Sequence, residues 1–358
     1  MKSQVFFAGI TDWSQRTRLE QKLVDLLGAA APKNLCNDKD LVGIKLTFGE
    51  KGNKGHPPPH LLRGIVEWVQ GQGSRAFLTE TNTLYNGQRK NAVDHLTLAR
   101  EHGFTHETVG APIILSDGIL GRDSYSLPDP SMEEGEQEVH LAPAVRDMDS
   151  LIGVAHLTGH MVEGFGGAIK NLGMGLSSRA GKLDQHSAVN PSIHADSCIT
   201  CFACAKVCPE DAILEQSDSA VIVDSSCIGC AECLAVCPTG AIRIDWSADP
   251  SLVQAKTAAY TTAIVRALGG RVLFVNLINH ITQQCDCLGD TGDPLIPDVG
   301  IAVSTDPVAL DQASIDLVNK VAGEDLFSRL WPNLNYADQL DAGERLGLGQ
   351  RAYDLKQI

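Results

Sequence analysis

Eight of the eleven cysteines fall in two matching runs, Cys198-x2-Cys201-x2-Cys204-x3-Cys208-Pro209 and Cys227-x2-Cys230-x2-Cys233-x3-Cys237-Pro238. At this spacing the first three thiolates of a run close on one iron–sulfur core, and the fourth reaches across to the other core. The pattern predicts that Cys198, Cys201, Cys204 and Cys237 hold one [4Fe–4S] cluster. Cys227, Cys230, Cys233 and Cys208 hold its twin. Structural zinc prefers paired C-x2-C hooks set apart by a longer arm, and disulfide scaffolds belong to short secreted chains. This chain has 358 residues, and its N-terminal apolar run, residues 5–10, ends at Asp12. That run is too short for a signal core, and no twin arginine precedes it.

The two runs repeat with a period of 29 residues, and Pro209-Glu210-Asp211-Ala212-Ile213 is echoed by Pro238-Thr239-Gly240-Ala241-Ile242. Between them residues 220–224 read as a strand. Ala203, Ala205, Gly229 and Ala231 are small enough to let the backbone close around a cluster and aim N–H groups at its sulfurs, one of the levers on its potential. Residues 190–245 resemble the bacterial two-cluster ferredoxin fold over their whole length.

Composition narrows the remaining possibilities. A 43% apolar fraction builds a real core, and no run approaches the roughly eighteen apolar residues of a membrane span. A formal charge of −15 argues against nucleic acid as a partner, since phosphate binding needs a basic surface. The same acidity serves solubility or the orientation of docking. Free thiols and oxygen-sensitive clusters point to a reducing cytoplasm. Glycine, at 34 residues, is abundant enough to imply loops whose backbone approaches ligands closely.

Outside the cysteine region strands and helices alternate. Strands are expected at residues 5–10, 41–48, 76–79, 112–115, 138–141, 151–157, 272–278 and 300–303. Helices are expected at 14–27 with Ser14 as cap, after Pro57-Pro58-Pro59, at 90–102, at 251–268, and from Asp306-Pro307 to about 321. Such alternation predicts an α/β fold with a mostly parallel sheet and helices on both faces. The flank after the cysteines offers too few strands for its own sheet. It is expected to complete the first one, giving a discontinuous α/β domain (1–189 with 246–358) around an inserted α+β ferredoxin-like domain (190–245).

Three segments outside the cysteine runs carry chemistry. Residues 156–171 follow an apolar strand and hold His156, His160, Glu163, Lys170 and glycines at 159, 164, 166 and 167. Loops after strands are where α/β folds bind ligands. His160 is a candidate metal ligand or acid–base group, and Lys170 a candidate anion or carbonyl partner. The alternative is a tight glycine turn around a hydrogen-bonded core histidine. The dinucleotide fingerprint fails, because Ile169 stands where its third glycine belongs. Residues 49–56, with Lys51, Lys54 and His56 among glycines, read as an anion cradle or a solvated loop, with Lys45 entering the same cleft or sitting at the sheet's edge. The third segment is Cys285-Asp286-Cys287, with Asn276, Asn279 and His280 before it and Asp290 and Asp293 after. Residues i and i+2 of an extended segment face the same way, so Cys285 and Cys287 can share an additional metal ion or form a redox pair. Two buried small hydrophobes are the plain alternative. Cys36 has no partner nearby and reads as structural.

Taken together, these segments resemble the iron–sulfur family called domain of unknown function 362. The carrying residues are Ile44-Lys45-Leu46-Thr47-Phe48-Gly49, Thr79-Glu80-Thr81-Asn82-Thr83, Gly159-His160, the stretch from Glu163 to Gly173, Cys285-Asp286-Cys287, and Ser304-Thr305-Asp306-Pro307-Val308-Ala309. Members often carry an inserted two-cluster ferredoxin region, and the resemblance implies architecture more than a reaction. The glycine-rich segment ending at Lys170 is also similar to that of nickel-dependent lactate racemases, which implies a ligand site in this loop. Racemases have no ferredoxin insertion.

The expected function is an iron–sulfur oxidoreductase. The two clusters feed electrons to a small-molecule substrate or metal site lined by His160, Lys170, Cys285 and Cys287. An electron relay docking on a redox partner protein is the alternative, and a redox sensor the third. Substrate and oligomeric state are not encoded in any of these motifs.

Overall fold

A computed structural model describes residues 2–358 apart from 11, 134–135, 187–189 and 245–247. Eight strands form one sheet, in the order Tyr353–Gln357, Ser3–Gly9, Gly300–Ser304, Val272–Ile278, Ser150–His156, Leu41–Lys45, Arg75–Glu80, Ile113–Leu115. Gly300–Ser304 runs antiparallel to both neighbours. All other pairings are parallel. Strands from before and after the cysteine region thus neighbour one another in a single, mostly parallel sheet.

The two central strands are buried along their whole length, as a parallel sheet covered on both faces requires. Alternation sends Leu151 and Phe274 to one face and Ile152 and Val275 to the other. Helices Arg16–Ala30 and Pro59–Gly71 cover the Ile152 face with Leu23, Leu62 and Ile65. Helices Pro250–Ala267 and Pro307–Ala322 cover the other with Ile264 and Leu310. No helix among the described residues is long and apolar enough to cross a membrane.

Local chemistry moved several expected boundaries. Ser14 caps nothing, because its amide and hydroxyl both bond Asp12, and the helix starts at Arg16. Asn91, Asp249 and Asp306 do cap their helices, each accepting amide N–H groups of the first turn. Glu138–Leu141 is a strand, but it pairs with Tyr125–Pro128 in a separate hairpin. The strand from Leu41 stops at Lys45, where the chain turns so that the Phe48 amide meets Glu80.

The cysteine region repeats its structure as well as its sequence. Short 3-10 turns, Ala195–Ser197 and Asp224–Ser226, precede Cys198 and Cys227. Short helices, Ala203–Lys206 and Glu232–Val236, follow Phe202 and Ala231, both in the left-handed conformation. Two small ladders, Ser192–Ile193 with Ile242–Arg243 and Ile213–Glu215 with Ala220–Ile222, frame the unit. Its apolar centre includes Cys204, Cys233 and Leu234 and recruits Leu84 and Leu183 from the α/β body.

Candidate functional site

The cysteines line two separate cavities. One is walled by Cys198, Cys201, Cys204 and Cys237. The other is walled by Cys208, Cys227, Cys230 and Cys233. Each cavity therefore takes three cysteines from one run and the fourth from the other. All eight thiols are free. Burial pushes Cys230 up to about 11, helped by the charges of Cys208 and Cys227. Burial, with Cys230 and Cys227, pushes Cys233 up to about 12. Burial works the same way on Cys237, but the Ile242 amide, the Thr239 hydroxyl and further N–H groups outweigh it and hold this thiol below its ordinary value.

The α/β body presents basic side chains to this unit. Lys90 Nζ donates to the Cys237 carbonyl at 3.1 Å, and Arg122 pairs with Glu232, next to Cys233. Arg179 is buried, and its Nη2 donates to the carbonyls of Lys90 (2.8 Å) and Leu120 (3.0 Å). Its Nε and Nη1 have no hydrogen-bond partner among the described residues. A cavity of about 920 Å³ borders both units, touching His140 and Asp184 on the body and Ile193, Ile222 and Cys227 on the cysteine side.

The second focus lies at the carboxyl ends of the parallel strands, where this fold class places its ligands. Lys45, at the end of its strand, donates to Glu80 Oε1 (3.0 Å), Asn171 Oδ1 (2.9 Å) and the Leu46 carbonyl (2.9 Å). Glu80 also accepts from Arg89 Nη1 at 3.2 Å and the Phe48 amide at 3.2 Å. Burial alone would raise this carboxyl, yet Lys45 and Arg89 hold it at about 2. Lys45 is thus committed to a buried ion pair at the root of the cleft.

His160 sits in the short strand Thr158–His160, buried against the loop after Val272–Ile278. The Gly159 amide donates to the Thr282 carbonyl at 2.9 Å, and a Cβ on Gly159 would lie 2.3 Å from the Gln283 carbonyl oxygen. Only glycine permits that approach. The ring's Nδ1 accepts from the amides of Val162 (3.2 Å) and Glu163 (3.1 Å). Burial, with the charges of Lys170 and His186, holds His160 well below its ordinary value, so the ring is neutral.

Lys170 projects from the helix Ala168–Gly173. That helix is anchored by a distant carboxylate, because Asp311 accepts the amides of Ala168 (2.7 Å) and Ile169 (3.0 Å) and the Asn276 side chain (2.8 Å). A Cβ on Gly167 would collide with Asp311 Oδ1 at 2.3 Å. Burial lowers Lys170, opposed by the carboxylates of Glu163 and Asp286. Burial raises Glu163 to about 7, and neither of its carboxyl oxygens has a partner among the described residues.

Cys285 and Cys287 are joined as a disulfide with Cα atoms 5.4 Å apart. Among the described residues, the one group of three or more His, Cys, Asp or Glu ligand atoms lying within 4.8 Å of one another is His160, Cys285 and Cys287. Asp286 faces elsewhere. Its Oδ2 meets His156 Nδ1 at 2.9 Å, and His156 Nε2 meets the Asn279 carbonyl at 2.7 Å. Burial opposes a charge on His156, but with acceptors at both nitrogens the ring is held above its ordinary value.

The matching family profile is described as "Domain of unknown function (DUF362)", and it covers residues 42–316. The chain belongs to the DUF362 family. Among solved structures, a lactate racemase apoprotein from Thermoanaerobacterium thermosaccharolyticum is similar with a TM-score of 0.44 and 10% identity, over 90% of this chain and 58% of that one. A structural-genomics protein from Thermotoga maritima is similar with a TM-score of 0.42 and 11% identity, over 92% and 59% of the two chains. The DUF362 chain spans less than two thirds of the length of either structure. No curated protein matches it by sequence.

Within this DUF362 chain, His160 meets Cys285 and Cys287 as a group, and the charge of Lys170 reaches both His160 and Asp286. The lysines of the loop 49–56 extend into water, as the solvated-loop alternative has it. Lys51 and Lys54 are exposed, while the Glu50 amide bonds the Asp286 carbonyl (3.1 Å) and Asn53 Nδ2 bonds the Leu288 carbonyl (3.2 Å). The loop braces the disulfide segment. His56 stacks on His102 at 4.7 Å, and Asp290 and Asp293 stand exposed. The sequence reading passed over Glu80, Arg89 and Asp311 as site-building residues. For Asp311 the available signal was a carboxylate on the apolar face of an amphipathic helix.

Proposed function

We propose that this chain is an iron–sulfur redox protein that delivers electrons into the cleft at the carboxyl end of its sheet. Cys198, Cys201, Cys204 and Cys237 would hold one [4Fe–4S] cluster, and Cys227, Cys230, Cys233 and Cys208 the other, within an inserted ferredoxin-type domain at 190–245. The observation that carries this reading is the crossed lining of the two cavities, three cysteines plus the distant fourth. A lone tetrahedral zinc holds its sulfurs at about 2.3 Å, hence within roughly 4 Å of one another. No three of the eight sulfurs approach within 4.8 Å of one another, so the quartets suit a larger core.

When bound, such clusters supply one-electron transfer at potentials set by charge and hydrogen bonds around them. The chain's own residues provide those terms. N–H groups near Ile242 and the Thr239 hydroxyl favour the Cys237 thiolate, the Ala212 amide donates to Cys208 Sγ at 3.2 Å, and Lys90 and Arg179 add positive charge. In the cleft, Lys170 offers a cation to an acidic small-molecule substrate, and neutral His160 offers a proton-bearing nitrogen beside the sulfur pair. The alternative at this second centre is an additional metal ion on Cys285, Cys287 and His160. A reducing compartment such as the cytoplasm fits these free thiols.

A relay to a redox partner protein has its own support. Ile199 and Ile228, directly after the first cysteine of each run, are 59% and 63% exposed, and exposed apolar side chains beside a cluster suit protein docking. The deciding experiment is anaerobic purification with iron, sulfide and metal analysis and low-temperature EPR. About eight irons per chain, with signals of two interacting cubanes, are expected. Stoichiometric zinc, or no iron uptake on reconstitution, sinks the reading.

A further inference from the structure

The pair Cys285–Cys287 has a different environment from the eight other cysteines. It lies in the α/β body, at the end of the sheet, on a segment fixed from both sides. The Glu50 amide holds the Asp286 carbonyl, and the Gly159 amide holds the Thr282 carbonyl. His156 locks the Asp286 side chain between the two cysteines. Cys285 is 6% exposed, while Cys287 is half-buried and so the more reachable sulfur.

We propose that Cys285 and Cys287 form a reversible dithiol–disulfide couple, with the imidazole of His160 as its hydrogen-bond donor, and that this trio is a redox centre and not a metal site. The inference deepens the cleft half of the proposed function and rests on that reading only for the origin of the electrons.

The tautomer of His160 decides between the two chemistries. A neutral imidazole has one N–H and one lone pair. Its Nδ1 lone pair faces the amides of Val162 and Glu163, so the proton resides on Nε2. A metal ion needs a lone pair at the nitrogen that meets it. A sulfur leaving as thiolate needs an N–H. Binding a metal through Nε2 would move the proton to Nδ1, where it would confront two N–H groups. Asp286 is not part of the group that His160 forms with the two sulfurs, and its Oδ2 pairs with His156. Two thiolates alone fall short of the three or four protein ligands of ordinary zinc sites.

The chemistry balances without an unnamed reagent. Thiolate of an external dithiol attacks the Sγ of Cys287, the Sγ–Sγ bond breaks, and Cys285 leaves as a thiolate that accepts a hydrogen bond from His160 and takes its proton from solvent. The second thiol of the reagent then displaces Cys287, giving two protein thiols and one reagent disulfide. Reduction by two one-electron donors has the same stoichiometry, two electrons and two protons per disulfide.

The test uses the whole chain, anaerobic, equilibrated in buffers of reduced and oxidised dithiothreitol. Samples are acid-quenched and differentially alkylated, and the peptide carrying both cysteines is weighed. The couple is supported if both sulfurs are labelled together or not at all, with a reversible midpoint. In His160→Phe, loss of the donor should shift that midpoint toward the disulfide by roughly tenfold in the reagent ratio. His160→Gln keeps an N–H donor and should recover most of the shift. Two results overturn the proposal. One is both thiols remaining free at every ratio. The other is one equivalent of a metal per chain that disappears in Cys285→Ser and Cys287→Ser. Cluster EPR on the same samples reports the other half separately, because loss of the iron signal with an intact thiol titration defeats only the proposed electron source.

Discussion

Lys90 donates from Nζ to the carbonyl oxygen of Cys237 at 3.1 Å, while its own carbonyl accepts from the guanidinium of Arg179. One residue of the α/β body thus ties a fourth-position cysteine to a buried cation whose charge reaches Cys233. Each cysteine quartet has a basic neighbour from outside its own unit.

Positive charge in a poorly solvated site favours the more negative, reduced state of a nearby centre. Lys90→Met should lower the midpoint potential of the cluster proposed on Cys237. Arg179→Gln should lower that of the cluster proposed on Cys233. EPR-monitored redox titration of the reconstituted protein reads both. Unchanged potentials in both variants would show that the two cations only fasten the units together.

Glu80 is held at about 2, against an ordinary value of 4.5, by Lys45 and Arg89 acting against burial. Its folded value lies below its unfolded value, so its contribution is complete above pH 4.5 and is lost as pH falls toward 2. Glu80→Gln leaves the buried Lys45 without its carboxylate and Arg89 with Glu50 alone, and should cost about 3–5 kcal/mol at pH 7, with a smaller difference near pH 3. Urea unfolding at the two pH values measures this. Equal stability of wild type and variant at pH 7 would contradict it.

Glu163 has the opposite sign. Burial raises it to about 7, so the folded chain holds a proton that the unfolded chain releases from about 4.5 upward. Its contribution is therefore present below pH 4.5 and declines as pH rises to 7. Glu163→Gln should flatten the pH dependence of the melting temperature and raise it at pH 8. A variant less stable than wild type at pH 8 would reveal a partner for the ionised carboxylate.

Asp311 satisfies two amides at the start of the Lys170 helix and the side chain of Asn276. Asp311→Ala leaves three donors facing an apolar interior, at about 1–3 kcal/mol each if none finds water. Hydrogen exchange should accelerate first at residues 168–173, ahead of global unfolding. Protection unchanged at those amides would mean that packing alone seats the helix.

How far the sequence disclosed this arrangement depends on how local each signal is. Val272–Ile278 is legible to the residue because a run that is apolar except for Asn276, between a glycine pair and a polar loop, has few alternatives as a parallel strand. The meeting of His160 with Cys285 and Cys287 was legible in outline, since both segments follow adjacent central strands. For residues 49–56 the alternatives of anion cradle and solvated loop stayed open, because lysines among glycines look alike whether they hold a ligand or extend into water. Ser14 lost its capping role to Asp12, a competition between neighbours that no cap preference encodes. Tyr353–Gln357 escaped notice because an edge strand with exposed Asp354 and Lys356 shows no apolar run. His156 and Asp286 lie 130 positions apart, and no spacing rule connects such a pair.

The placement of Ser3–Gly9 between Gly300–Ser304 and Tyr353–Gln357 sets an order of events during synthesis. Ser3–Gly9 has both of its neighbours some three hundred positions downstream, as the Ser3–Asp306 hydrogen bond across 303 positions records. Contacts of such range form late and slowly. The cysteine unit, whose ladders close within some fifty residues, emerges well before the sheet can be completed. Loading of the proposed clusters would therefore have a window in which both quartets are made and the body is still open. Clusters delivered at that stage would be enclosed as Leu84 and Leu183 of the body pack against the apolar centre of the cysteine unit.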